Sequence, residues 1–100
     1  MVPHGIEFPR DSIEAFCRRH AIQRLAVFGS ILRADFSPQS DIDVLVEFHP
    51  ASGPSLLGFA GMQLELAEIL GREVHLHTPP TLPPRWRTHL QSTALVQYAA

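Results

Sequence analysis

Between Asp41 and Phe48 one face of the sequence is wholly apolar: Ile42, Val44, Val46 and Phe48 interleave with Asp41, Asp43, Leu45 and Glu47. Residues two apart on a strand share a face. This segment is therefore expected to be extended, with one apolar face turned to a core. The same alternation sends the carboxylates of Asp41 and Asp43 out together on the other face. Two like charges held that close repel each other. A divalent cation offsets the repulsion, and Mg²⁺ in particular favours carboxylate oxygens combined with substrate phosphates. An isolated Asp-x-Asp, however, is more often a pair of solvated acids than a site.

The remaining elements follow from periodicity and punctuation. A helix is expected from Ser12 to His20, with Ile13, Phe16 and Cys17 on one face, Asp11 as its cap and Glu14 closing a capping box. Leu25-Ala26-Val27-Phe28 is a short apolar run, the pattern of a buried strand. Gly29-Ser30 ends it and opens a helical turn through Ile31, Leu32 and Arg33. Ser37-Pro38-Gln39-Ser40 forms a turn ahead of the Asp41–Phe48 strand. A second long helix spans Ser55 to Leu70, stopped by Gly71. A third strand covers Glu73 to His77. A proline-rich connector, Thr78 to Pro84, then leads to a final helix from Arg85 to Gln97, with Trp86, Leu90 and Ala94 at helical spacing. Helices interspersed with short strands make an α/β sandwich built on a small sheet.

Composition narrows the classes. The chain has 100 residues, so residues 1–100 are read as a single domain, and 45% of them are hydrophobic, as in an ordinary globular protein. The formal charge is −2, which gives no electrostatic footprint for direct nucleic-acid binding. All eight basic side chains are arginine. Cys17 is the one cysteine, so no intrachain disulfide can form and a reducing cytoplasm is the expected compartment. Its place in the apolar pattern of the first helix suggests packing over chemistry. No apolar stretch approaches the roughly 20 residues of a membrane span. The segment Met1-Val2-Pro3-His4-Gly5 lacks the pattern of a signal peptide.

The aspartates gain meaning from what precedes them. Glycine lets a backbone come close to a phosphate, free N–H groups at a helix start attract anions, and a serine hydroxyl can donate to a phosphate oxygen. Here a strand, Gly29-Ser30, a ten-residue spacer and Asp41-Ile42-Asp43 on a new strand set a phosphate cradle beside a metal site. The run from Phe28 to Val46, including Arg33 and the quartet Ser40-Asp41-Ile42-Asp43, resembles the minimal nucleotidyltransferases of the DNA polymerase β superfamily. That resemblance implies a small mixed sheet flanked by helices, the palm-like nucleotidyltransferase fold. It also implies a metal-dependent reaction. Gly29 and Ser30 would hold ATP or another nucleoside triphosphate, Arg33 would steady a phosphate, and Asp41 and Asp43 would bind one or two Mg²⁺ ions. A hydroxyl would attack the α-phosphate, taking the nucleoside monophosphate and releasing pyrophosphate.

The chain departs from the family at one position. A third carboxylate commonly stands on the next strand in a Val-Asp-Leu pattern, and the matching stretch here is Val74-His75-Leu76. Imidazole suits softer ions better than Mg²⁺, and it can also act as a general base near neutral pH. His75 is thus read either as a working catalytic group or as the mark of an impaired site that still binds nucleotide or partner. His77 shares its face, which allows a His75/His77 metal pair. His4, His20, His49 and His89 show no ligand spacing. Trp86, between Arg85 and Arg87, is read as a core or interface residue before a base-stacking one. Larger relatives carry a helical domain that helps hold the acceptor. The minimal enzymes instead pair with a helical HEPN-domain protein, often a ribonuclease toxin, so the resemblance implies an antitoxin-like role. A homodimer is a second form of association, with Trp86, Leu90 and Tyr98 as candidate contacts.

Overall fold

The computed structural model describes residues 8–32, 34, 36–37, 40–50, 53–79, 84–85 and 93–100, with every side chain among them except those of Ser30 and Leu56. Helix α1 spans Arg10–Arg19. Strand β1 (Ile22–Phe28) follows, then a single 3-10 turn, Gly29–Leu32, and strand β2 (Ile42–Phe48). Helix α2 is Leu56–Leu70, and strands β3 and β4 are Val74–His77 and Leu95–Ala99. The sheet order is β3-β2-β1-β4. β1 runs antiparallel to both β2 and β4, whereas β2 and β3 are parallel and joined through α2. The expected small mixed sheet with flanking helices is therefore present.

The alternation in β2 works as the sequence suggests. Ile42, Val44 and Val46 are buried, together with Leu25 and Val27 of β1 and Val74 and Leu76 of β3. They meet Ile13, Phe16 and Cys17 of α1 and Met62 and Leu66 of α2 in one core. Cys17 is fully buried, and burial pushes its thiol up to about 12, so it packs and does not react. Arg19 and His20 both reach Glu65 of α2, His20 Nε2 at 2.9 Å from Oε1, and so tie the two helices together at the rim of the core. No described helix is long and apolar enough to cross a membrane.

Helix ends show where local signals held. Ser55 caps α2, its Oγ accepting from the Gly58 N–H at 3.1 Å, and Gly71 takes the left-handed conformation at φ 71° and closes the helix on Ala67. The capping box expected from Asp11 and Glu14 does not form. α1 starts two residues earlier than expected, with Pro9 at the cap and no side-chain hydrogen bond there. Asp11 thus lies inside the first turn, where its charge still favours the helix N-terminus, and Glu14 pairs with Arg18 one turn on.

The larger correction concerns the last helix. The tail of the segment expected as a helix from Arg85 to Gln97 is strand β4, with Leu95 opposite Val27, Val96 opposite Ala26 and Tyr98 opposite Leu25. The outer edge of β1 offers a row of backbone donors and acceptors, and pairing with it outweighs a weak helical pattern. Tyr98, one of the expected contact residues, is half-buried against the core; Trp86 and Leu90 lie outside the described residues.

Candidate functional site

The site grows from the register of three strands. Asp43 on β2 faces Phe28 on β1, and Gly29 follows immediately as β1 ends. Gly29 has φ +76°, and a methyl group in place of its hydrogen would lie 2.5 Å from Asp43 Oδ2. Any L-side chain would thus be both strained and in collision. The glycine lets the first backbone of the 3-10 turn rest directly on the carboxylate. On the other side of β2, the parallel register sets Asp43 beside His75 and Leu45 beside His77. Asp41, Asp43, Glu73, His75 and His77 consequently occupy the face of the sheet opposite the core.

The side chains on that face pair. His75 Nε2 lies 2.9 Å from Asp41 Oδ2 and 3.8 Å from Glu73 Oε1. His77 Nε2 lies 3.2 Å from Asp43 Oδ1, and its ring meets Phe28 edge-on with centroids 5.2 Å apart. The Asp41 side chain is 41% exposed and that of Asp43 30%, so both can be reached from solvent. Ser30 contributes its backbone to the 3-10 turn, while its side chain and all of Arg33 fall outside the described residues. Gly29, Asp41, Asp43 and His75 are thus brought together, and His77 joins them against Asp43.

Two residues that sequence reasoning missed also belong here. Arg72 donates from Nη2 to the carbonyls of Ser37 at 2.8 Å and Ser40 at 3.0 Å, and its guanidinium stacks 4.6 Å over the Phe36 ring. It ties together Ser37 and Ser40, the residue before Asp41, helped by the Ser40 Oγ, which accepts from the Ser37 N–H at 3.0 Å. Glu73, just ahead of β3, completes a group with Asp41 and His75 in which one ligand atom from each lies within 4.8 Å of the others. Neither residue belongs to a local motif. Only the parallel β2–β3 pairing, joined through α2, brings them to the aspartates.

The nucleotidyltransferase domain profile matches residues 10–96. The chain belongs to the nucleotidyltransferase domain family. Among relatives of this nucleotidyltransferase is a provisionally assigned protein adenylyltransferase of Methanocaldococcus jannaschii, 36% identical over 77 residues, or 77% of this chain and 81% of the relative. The protein adenylyltransferase MntA of Thermococcus cleftensis is 38% identical over 58% of this chain and 57% of its own length. A solved structure of a provisionally assigned minimal nucleotidyltransferase superposes with a TM-score of 0.71 at 34% identity, covering 86% of each chain. A toxin–antitoxin crystal structure with AMP-PNP shares the fold, with a TM-score of 0.72 at 18% identity over 93% of this chain and 75% of that one.

Proposed function

We propose that this nucleotidyltransferase moves a nucleoside monophosphate, AMP from ATP, to a hydroxyl of a partner protein. The observation that carries the reading is the contact between Gly29 and the Asp43 carboxylate. It sets the backbone turn suited to a triphosphate directly against the acid pair. Gly29 and Ser30 would cradle the phosphates and Arg33 would steady one of them. The hydroxyl oxygen of the acceptor forms a bond to the α-phosphorus, the bond to the bridging oxygen breaks, and pyrophosphate leaves. Asp41 and Asp43 would hold Mg²⁺: two solvent-reachable carboxylates on one strand face supply hard oxygen donors and leave room for phosphate oxygens. Bound there, the ion would polarise the phosphate and neutralise developing charge. Replacing both acids, Asp41→Asn with Asp43→Asn, is expected to abolish Mg²⁺-dependent ATP binding in calorimetry while circular dichroism stays native. Equal binding by the double variant would overturn the reading.

A second reading rests on His75, which contacts Asp41 at the position where a third carboxylate is common. In this reading the chain binds nucleotide or partner but transfers poorly, and it neutralises its partner by contact. His75→Asp separates the two. Transfer rises with Mg²⁺ if the missing acid is the defect, and falls if the imidazole serves as base.

The acceptor we propose is a helical HEPN-domain protein, with the chain as the antitoxin-like member of the pair. Relatives named as protein adenylyltransferases and fold neighbours solved as toxin–antitoxin complexes support that direction. We place the reaction in the cytoplasm, where a lone buried thiol is stable, and assign residues 1–100 to one domain. α2 carries Leu57 and Leu64, 84% and 68% exposed and seven residues apart on one side of the helix, as the surface for the partner or for a second copy.

A further inference from the structure

We propose that Asp41, Glu73 and His75 form a site for a single first-row transition ion, sharing Asp41 with the aspartate pair but differing from it in the other two ligands. The parallel register creates it: Ile42 lies beside Val74, so the residues before them, Asp41 and Glu73, are neighbours, and His75 stands next along the same face. One donor atom from each lies within 4.8 Å of the other two, with His75 Nε2 2.9 Å from Asp41 Oδ2 and 3.8 Å from Glu73 Oε1. Ligands about 2.0–2.2 Å from a tetrahedral Zn²⁺ stand roughly 3.4 Å apart, a spacing these distances bracket. The donor set also sorts the ions. An imidazole nitrogen with two carboxylate oxygens suits Zn²⁺, Co²⁺ or Mn²⁺, whereas Mg²⁺ holds to six oxygens. Two carboxylates neutralise the dication, and three protein ligands leave a fourth position for water or a phosphate oxygen. His77 takes no part, being turned to Asp43 and Phe28.

The site is tested on the full chain with Zn²⁺ alone in calorimetry and Co²⁺ alone by visible absorption, without nucleotide. The wild type is expected to bind one ion and to give Co²⁺ the intense bands of a low-coordinate N/O site. His75→Ala and Glu73→Gln are each expected to weaken Zn²⁺ binding by at least about tenfold. Glu73 is 75% exposed, so its substitution leaves the fold intact and keeps the test valid should His75→Ala misfold. Asp43→Asn and His77→Ala are expected to bind Zn²⁺ as the wild type does. Because Asp43→Asn removes the acid that the proposed transfer needs, the two ideas fail separately. Wild-type affinity in both His75→Ala and Glu73→Gln would overturn the site, and so would loss of binding in Asp43→Asn, which would put the ion on the aspartate pair.

Discussion

Two glycines with nearly the same backbone angle separate strain from contact. Gly29 has φ +76° with Asp43 Oδ2 2.5 Å from the place of a methyl group, whereas Gly71 has φ +71° with nothing within 4 Å among the described residues. Alanine in the left-handed region costs roughly 1–2 kcal/mol, so Gly71→Ala should lower the urea midpoint by that strain, and Gly29→Ala by at least as much because it adds the collision with Asp43. Only Gly29→Ala pushes against the acid pair. A displacement of about 1 Å at a reacting centre can cost on the order of 100-fold in rate. Gly29→Ala is accordingly expected to lose transfer and nucleotide binding while Gly71→Ala retains both. Equal activity in the two variants would remove Gly29 from the site. The sequence singles out Gly29 as half of a Gly-Ser pair, and the structure sets it against Asp43. That close approach was not legible, because the neighbour lies fourteen positions on and is met only through the β1–β2 register.

At the scale of elements, α1 and α2 are held at their rim by Arg19, His20 and Glu65. Burial, followed by the charge of Arg19, holds His20 below the usual imidazole range even with Glu65 in reach. The unfolded chain therefore binds this proton more readily than the folded one. His20 contributes fully above the ordinary imidazole range, and its contribution is lost as pH falls through the lowered folded value. Between pH 7.5 and 5.5 the urea midpoint of the wild type should fall further than that of His20→Gln; parallel profiles would exclude the linkage. Elements with strong local signals were readable in advance: α2 between Ser55 and Gly71, and β2 from its alternation. Strand β4 was not. Leu95 to Tyr98 carries an apolar pattern that suits either period, and what decides it is the open edge of β1, about seventy residues away in sequence. Glu73 and Arg72 escaped for the same reason, since Asp41, Ser37 and Ser40 ahead of β2 are more than thirty residues away in sequence.

Among the described residues two unlike surfaces stand out, an acid-and-imidazole sheet face and the side of α2 that bears Leu57 and Leu64. If the second is where a helical partner docks, Leu57→Glu with Leu64→Glu should leave the thermal midpoint of the isolated chain within a few degrees of wild type. The same change should abolish the larger species that light scattering detects when the chain is mixed with the product of its neighbouring gene. A mixture that stays monomeric with the wild type would leave the partner proposal without support. The sheet order carries a mechanical consequence. Asp43 is carried by β2, which is clamped by a strand on each side, with Asp41 just ahead of it, while His75 and His77 arrive on β3, a four-residue strand that among the described residues pairs with β2 alone. Val74 and Leu76, on either side of His75, anchor β3 in the core, so the carboxylate and imidazole rows are both set by the fold. A ligand that enters must therefore fit between two rows of side chains whose spacing is that of neighbouring parallel strands.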